Sequence, residues 1–232
     1  MLDVTTNIDR RTQFIVEFTN RTFDPFKDDY IDHLHRLIEI IKEVGEPLEG
    51  NIFFNHLEPN PSADLAPDFL SKRRSLALLA VMHGRIMEIG FNSGFSALLM
   101  LASNPSLKLD CIDICAHQYT RPCFEYLKSV YGDRINLYAG SSLHALPLVA
   151  MTGRDHGAII IDGGHGISTA ESDLFNVIEF GRRGSVICFD DSDFPHLRVL
   201  LDMHLLTGRL ISLSDQAGYL DNFRQMFFIN NK

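Results

Sequence analysis

Tryptophan is absent from the 232 residues, and positive charge is scarce: 21 Lys and Arg stand against 30 Asp and Glu, a formal net charge of −9. A duplex-binding protein carries a basic footprint, so nucleic acid is not the expected partner. The basic triplet Lys72-Arg73-Arg74 reads as the solvated face of a helix. No apolar run reaches the roughly 18 residues of a membrane span, so no membrane is expected either. The opening stretch MLDVTTNIDRRTQF lacks the basic-then-apolar plan of a secretory leader. The four cysteines, Cys111, Cys115, Cys123 and Cys188, make no CxxC pair, and no His cluster completes a zinc site. The expectation is reduced thiols in a cytoplasmic protein. Without Trp one aromatic platform for a sugar is missing, although 17 Phe and 6 Tyr remain.

What is present is ordinary globular material, 45% hydrophobic and 22% charged. The length suits one domain with an added segment. Residues 1 to about 27 give mixed signals, with QFIVEF readable as a short strand or a helix start. From Asp28 to Val44, Tyr30, Leu34, Leu37, Ile41 and Val44 recur at helical spacing, and Gly45 and Pro47 end the helix. Residues 46–65 read as a loop rich in turn formers. Pro67 opens a second helix that runs to about Met82 and stops at Gly84.

Beyond residue 85 short apolar runs alternate with helical patterns. The runs are Ile86–Ile89, Leu107–Ile114, Ile135–Ala139, Ala158–Ile161 and Ser185–Phe189. Helices are expected at 95–103, 120–131, 142–151 and 168–180, the last opened by a Ser168/Glu171 capping box. This alternation is the pattern of a parallel sheet covered on both faces, a doubly wound α/β fold. A helix over PHLRVLLDMHLLTGR is followed by LISLSD and RQMFFINN, two strands expected to pair antiparallel because no helix separates them. The division expected is therefore an N-terminal helical cap or lid, residues 1–84, and a ligand-binding domain, residues 85–232.

The turn after the first run, Glu88-Ile89-Gly90-Phe91-Asn92-Ser93-Gly94, carries the first chemical signal. A small-sided turn leading into a helix lets main-chain N–H groups and the positive helix end approach a ligand. The dinucleotide pattern G-x-G-x-x-G is incomplete here, because its middle glycine is missing. Glu88, two residues before Gly90, would repel a diphosphate and suit a cation. About twenty residues on, Asp113 stands where an acid can hold two ribose hydroxyls. Glu88 and Asp113 together suit a positively charged nucleoside without phosphates, as S-adenosylmethionine is. A nicotinamide-dependent oxidoreductase is disfavoured on the same grounds.

A second group lies farther along. Strand 4 ends in IDGGH and strand 5 in FDDSD, which puts Asp162, Asp190 and Asp191 at the ligand-binding edge of an open sheet. Converging carboxylates need a cation, and a hard divalent ion such as Mg²⁺ fits oxygen donors. His165, three residues after Asp162, can accept a proton near neutral pH. Asp193, just before Phe194-Pro195, is the candidate helix cap. His117, His144 and His196 also fall near strand-end loops.

The sequence MEIGFNSGFSALLML followed by Asp113 resembles the first two motifs of class I S-adenosylmethionine-dependent methyltransferases. That resemblance covers about residues 86–230. It implies a Rossmann-like seven-stranded sheet of order 3-2-1-4-5-7-6 with strand 7 antiparallel. It also implies a cofactor held by Glu88, Gly90, Asn92, Ser93, Gly94, Asp113 and Asp162, with Ser141 or Ser142 at the adenine. The set Asp162, His165, Asp190 and Asp191 resembles that of the metal-dependent O-methyltransferases, of the catechol and the macrocin-sugar types. His165 stands where the catechol type has Lys, which is closer to the sugar-hydroxyl enzymes, whereas Asp190 stands where those commonly have Glu. The implied activity is methylation of a hydroxyl on a small-molecule acceptor, a natural-product sugar or an aromatic diol. Asp162, Asp190 and Asp191 would hold Mg²⁺ or another divalent cation, and His165 would be the base. A non-catalytic S-adenosylmethionine-binding protein and a cephalosporin-hydroxylase-like enzyme are the alternatives on this fold. Nucleic-acid amino methylation is disfavoured, since IDGGH does not resemble an Asn/Asp-Pro-Pro-aromatic motif. A homo-oligomer is compatible with the sequence.

Overall fold

A computed structural model describes residues 29–54, 66–213 and 224–232. The readings made for residues 1–27, for the loop at 55–65 and for the Gln216–Phe223 connection lie outside those residues. Two helices come first, α1 (Asp29–Val44) and α2 (Leu70–Met82), the latter led in by a 3-10 turn at Pro67–Phe69. Then follow β1 (Arg85–Ile89), α3 (Phe95–Ser103), β2 (Lys108–Asp113), α4 (Thr120–Tyr131), β3 (Ile135–Ala139), α5 (Ser142–Met151) and β4 (Ala158–Ile161). The chain continues through α6 (Ile167–Phe180), β5 (Val186–Phe189), α7 (Pro195–Leu206), β6 (Leu210–Ser212) and β7 (Met226–Asn230).

The seven strands order as β3-β2-β1-β4-β5-β7-β6. β1 to β5 run parallel, and β7 is antiparallel to both β5 and β6. The expected order and the reversed strand are thus both found. Strand periodicity explains the layers. Ile86, Leu109, Cys111, Ile135, Ala158, Ile160, Val186, Cys188 and Phe227 face one way and join α1 to α4 in one apolar cluster. Met87, Ile89, Ile112, Ile159, Ile161, Ile187, Phe189 and Phe228 face the other and join α5 to α7. Because β4 and β5 are covered on both faces, they read as unbroken apolar runs, AIII and VICF, rather than alternations; β1 does so except at Arg85 and Glu88.

Helix α1 inserts Tyr30, Leu34, Leu37, Ile38 and Ile41 into the first cluster, and Leu48, Ile52, Phe53 and Phe54 follow it in. The Asn51 Oδ1 accepts the main-chain N–H groups of Phe53 (2.9 Å) and Phe54 (2.6 Å), which bends this stretch inward. The Arg73 guanidinium donates to the Ile52 carbonyl at 2.9 Å. The N-terminal helices and the sheet therefore share one hydrophobic core.

Three local expectations are corrected. The triplet at 72–74 is no solvated face: Lys72 and Arg73 are buried, at 8% and 2% exposure. Helix α6 starts a residue early at Ile167 with Gly166 as its N-cap, so Ser168 lies inside the helix and makes no capping box. Helix α7 has Phe194 as N-cap and Pro195 as its first residue, so Asp193 does not cap it. All four cysteines are free thiols.

One polar cluster on the second face sits at the N-terminal edge of the sheet. Asp110 is fully buried and accepts from Arg85 (2.8 Å), Arg154 (2.6 Å), Asn136 (3.0 Å) and His156 (2.9 Å). Burial alone would raise its pKa, but the hydrogen bonds from His156, Asn136 and Arg85 prevail and hold it at about 2. A carboxylate depressed below its unfolded value stabilises the fold above about pH 4, and that contribution fades as pH falls through 2. Replacing Asp110 with Asn is expected to cost on the order of 2 kcal/mol at pH 7. Denaturant titration should show the gap closing between about pH 4 and pH 2; a pH-independent gap would contradict this account.

Candidate functional site

Every residue singled out from the sequence, Glu88 apart, lies in or beside the loops at the carboxyl ends of the strands, the ligand edge of an open α/β sheet. The β1–α3 loop is fixed by close approach. A Cβ at Gly90, whose φ is +97°, would stand 1.9 Å from the Asp162 main-chain oxygen. Only glycine lets the β1 loop lie this close to the β4 loop. At Gly94, φ +78°, a Cβ would meet the Phe91 ring at 2.6 Å and Leu127 at 2.9 Å. Main-chain bonds extend the ladder into the loops: Gly90 N–H to Ile112 O at 2.8 Å, Asp162 N–H to Ile89 O at 2.9 Å, and Asp190 N–H to Ile161 O at 2.9 Å.

Among the described residues, three non-glycine residues have positive φ: Asn92 (51°), Cys115 (56°) and Asp191 (51°). All three stand in loops that follow strands at this edge, where unusual backbone concentrates at sites of function. Asp113 joins two of them. Its Oδ2 accepts the Asn92 N–H at 2.8 Å and its Oδ1 accepts the Cys115 N–H at 2.6 Å. Each oxygen keeps a further lone pair for a ligand hydroxyl.

Glu88 is placed differently from the expectation. Its side chain points into the first core face, fully buried, beside its register neighbour Cys111. It accepts a short hydrogen bond from the Ser96 hydroxyl and one from the Cys111 thiol at 3.5 Å. The carboxylate thus anchors the first turn of α3 and presents nothing to the open edge. Burial pushes its pKa up to about 7; Ser96, Cys111 and Lys72 oppose the rise and the Asp113 charge adds to it. Ser93 is buried, Ser141 is the N-cap of α5 without a side-chain bond, and Ser142 lies half-buried with its hydroxyl toward the enclosed Asp173.

The acids separate into two pairings. The His165 Nε2 lies 2.9 Å from Asp191 Oδ2. Asp190 turns the other way, to an ion pair with the ammonium of Lys72 on α2, which also lies 3.8 Å from Asp162 Oδ2. Asp162, His165 and Asp191 each offer a ligand atom, all within 4.8 Å of one another; Asp190 is outside this group. The Asp191 bond raises the pKa of His165 despite its partial burial. Burial works against Asp191, but the His165 bond and nearby cations hold it below the usual carboxylate range. Asp162 is raised, by enclosure first and then by the Asp190 charge.

Sequence reasoning missed Lys72 and the stretch before it. Glu46 and Glu49 hold the two nitrogens of His117, each at 2.7 Å, and His117 stacks on Tyr119 at 4.9 Å. The Asn92 amide donates to the Glu49 carbonyl, which ties this stretch to the β1 loop. His196 Nε2 contacts the His165 carbonyl oxygen at 3.0 Å, and His144 is exposed. A cavity of about 230 Å³ lined by Met87, Arg154, His156 and Arg182 shares none of the site residues.

Residues 87–192 match a family model described as a methyltransferase domain. No curated protein matches the chain. Many solved structures do. An O-methyltransferase from Bacillus cereus in complex with S-adenosylhomocysteine (SAH) is 13% identical, with a TM-score of 0.61 over 97% of this chain and 100% of that one. TomG from Streptomyces achromogenes, an O-methyltransferase of tomaymycin synthesis in complex with S-adenosylmethionine, is 16% identical, with a TM-score of 0.58 over 97% and 98%. MycE of mycinamycin biosynthesis, in complex with Mg, SAH and mycinamycin VI, is 16% identical, with a TM-score of 0.51 over 84% and 53%. The resemblance read from the glycine loop and Asp113 is borne out at the level of fold: the strand order is that of class I methyltransferases, and residues 87–192 match a methyltransferase-domain model. Among the described residues no helix is long and apolar enough to cross a membrane.

Because the folded pKa of Glu88 lies above its unfolded value, its stabilising contribution is complete below about pH 4.5 and is lost as pH rises through about 7. Glu88→Gln is therefore expected to be the more stable form at pH 8, by up to about 3 kcal/mol. Chemical denaturation at pH 5 and pH 8 checks it; equal pH dependence in both proteins would contradict the burial argument.

Proposed function

We propose that this protein is an S-adenosylmethionine-dependent O-methyltransferase acting on a hydroxyl of a small molecule. The observation that carries the reading is the meeting, at one sheet edge, of the Gly90–Gly94 loop braced by Asp113 with the Asp162/His165/Asp191 group. Gly90, Asn92, Ser93 and Gly94 line the amino-acid end of the cofactor, and Asp113 takes the ribose hydroxyls on its spare lone pairs. Ser141 and Ser142 border the adenine. Glu88 acts from behind the loop, through Ser96. Bound S-adenosylmethionine supplies a methyl group on a sulfonium, which transfers to a nucleophile in line with the S–CH₃ bond.

A hydroxyl becomes a competent nucleophile only as its proton leaves. His165 Nδ1 is the proton acceptor, while the Nε2–H donated to Asp191 Oδ2 fixes the ring and lets Asp191 stabilise the imidazolium that forms. Asp162 and Asp191 fit a hard divalent ion, because one or two carboxylates with substrate oxygens and water suffice for Mg²⁺. Such an ion would lower the pKa of an acceptor hydroxyl. The stretch 46–54 and α2 wall the same edge, so the N-terminal segment shapes the acceptor pocket. The methyltransferase fold and the complexes of TomG and MycE support this reading.

The test is transfer of labelled methyl from S-adenosylmethionine to a panel of sugars and aromatic diols. Asp162→Ala and His165→Ala are each expected to lower kcat at least 100-fold while cofactor affinity changes less than about threefold. Full turnover in either variant would remove that residue from the chemistry, and loss of cofactor binding would make its role structural.

A further inference from the structure

We infer that Lys72 is a tethered cation of the acid cluster, which keeps Asp190 out of the ligand set of a divalent ion and weakens the hold of the site on that ion. The inference rests on the reading of this edge as a methyl-transfer site with an ion held by Asp162 and Asp191. Lys72 comes from α2, some ninety residues before Asp162, yet its side chain is only 10% exposed and its ammonium enters the cluster from the N-terminal side. It pairs with Asp190, itself 1% exposed, and reaches Asp162 at 3.8 Å. Asp190 Oδ1 meanwhile accepts the Asp191 N–H at 2.9 Å, so both Asp190 oxygens are engaged.

Charge makes the consequence specific. Asp162, Asp190 and Asp191 carry up to three negative charges, and a buried ammonium cancels one permanently. Held between Asp190 and Asp162, the Lys72 ammonium is a positive charge fixed in place by two carboxylates. Its ammonium and a divalent ion repel across a site where the dielectric is low, so each weakens the other. Because α2 packs in the same core as α1 and α3, the position of Lys72 is set by the seating of the N-terminal helices.

The experiment is titration of the cofactor-free protein with Mn²⁺, followed by its electron paramagnetic resonance signal, with no turnover involved. Lys72→Met should bind Mn²⁺ at least about tenfold more tightly than the unaltered protein, since a repelling charge goes and Asp190 becomes a donor. Lys72→Met combined with Asp190→Asn should return toward the unaltered affinity. Unchanged or weaker binding by Lys72→Met, or no Mn²⁺ binding by either protein, would overturn the inference. Should Lys72→Met fail to fold, a crystal structure of the unaltered protein soaked in Mn²⁺ decides. The ion is expected on Asp162 and Asp191 with Lys72 still on Asp190; an ion ligated by Asp190 with Lys72 displaced would refute it. S-adenosylmethionine binding by the same samples reports separately on the methyltransferase reading.

Discussion

The approach of Gly90 to the main-chain oxygen of Asp162 is the constraint on which the rest of the site depends. It brings the loop of β1 against the loop of β4 with no room for a side chain between them. With that distance set, Asp113 on the neighbouring strand can brace Asn92, and Asp162 can stand beside the group from β5. The loops are held by main-chain bonds that continue the strand ladder, so the edge is preorganised. Positive φ at Asn92, Cys115 and Asp191 is the local cost of aiming these loops, spread over three strand ends.

Charge is distributed around that edge in a way composition does not reveal. A net −9 chain places buried acid at both ends of its sheet. At the N-terminal edge Asp110 is matched by Arg85, Arg154 and His156, and the cluster is closed on itself. At the carboxyl edge Asp162, Asp190 and Asp191 face Lys72 and His165 directly and the Arg224 charge at longer range, and Asp162 and His165 stay partly open to solvent. The enclosed cluster secures the fold, whereas ionisable groups left partly open at a sheet edge are what a site for a cation or a proton requires.

Much of this was legible in the sequence because periodicity reports burial. Strands covered on both faces appear as runs of Ile, Leu and Val, and β3 and β4 fall where their runs place them. The strand order came from resemblance to a family through Glu88, Gly90, Gly94 and Asp113, and the sheet has that order. The failures also have physical reasons. Glu88 sits at an odd register step that points it into the core, and only strand register shows that its neighbours are Cys111 and Ser96. Lys72 and Arg73 looked solvated because a basic triplet on a helix usually is; their partners, Asp190 and the Ile52 carbonyl, are remote in sequence. Ser168 and Glu171 have the spacing of a capping box, but Gly166 takes the N-cap place two residues before Ser168, so α6 starts too early to use it.

The central claim is that the Gly90–Gly94 loop and Asp113 hold S-adenosylmethionine at the strand ends. Calorimetric titration of the unaltered protein and of Asp113→Ala with S-adenosylmethionine tests it most directly. The account predicts one site in the unaltered protein and affinity weakened by about tenfold or more in the variant, the magnitude of lost charge-assisted hydrogen bonds. Absence of binding to the unaltered protein, or equal affinity in the two, would contradict it.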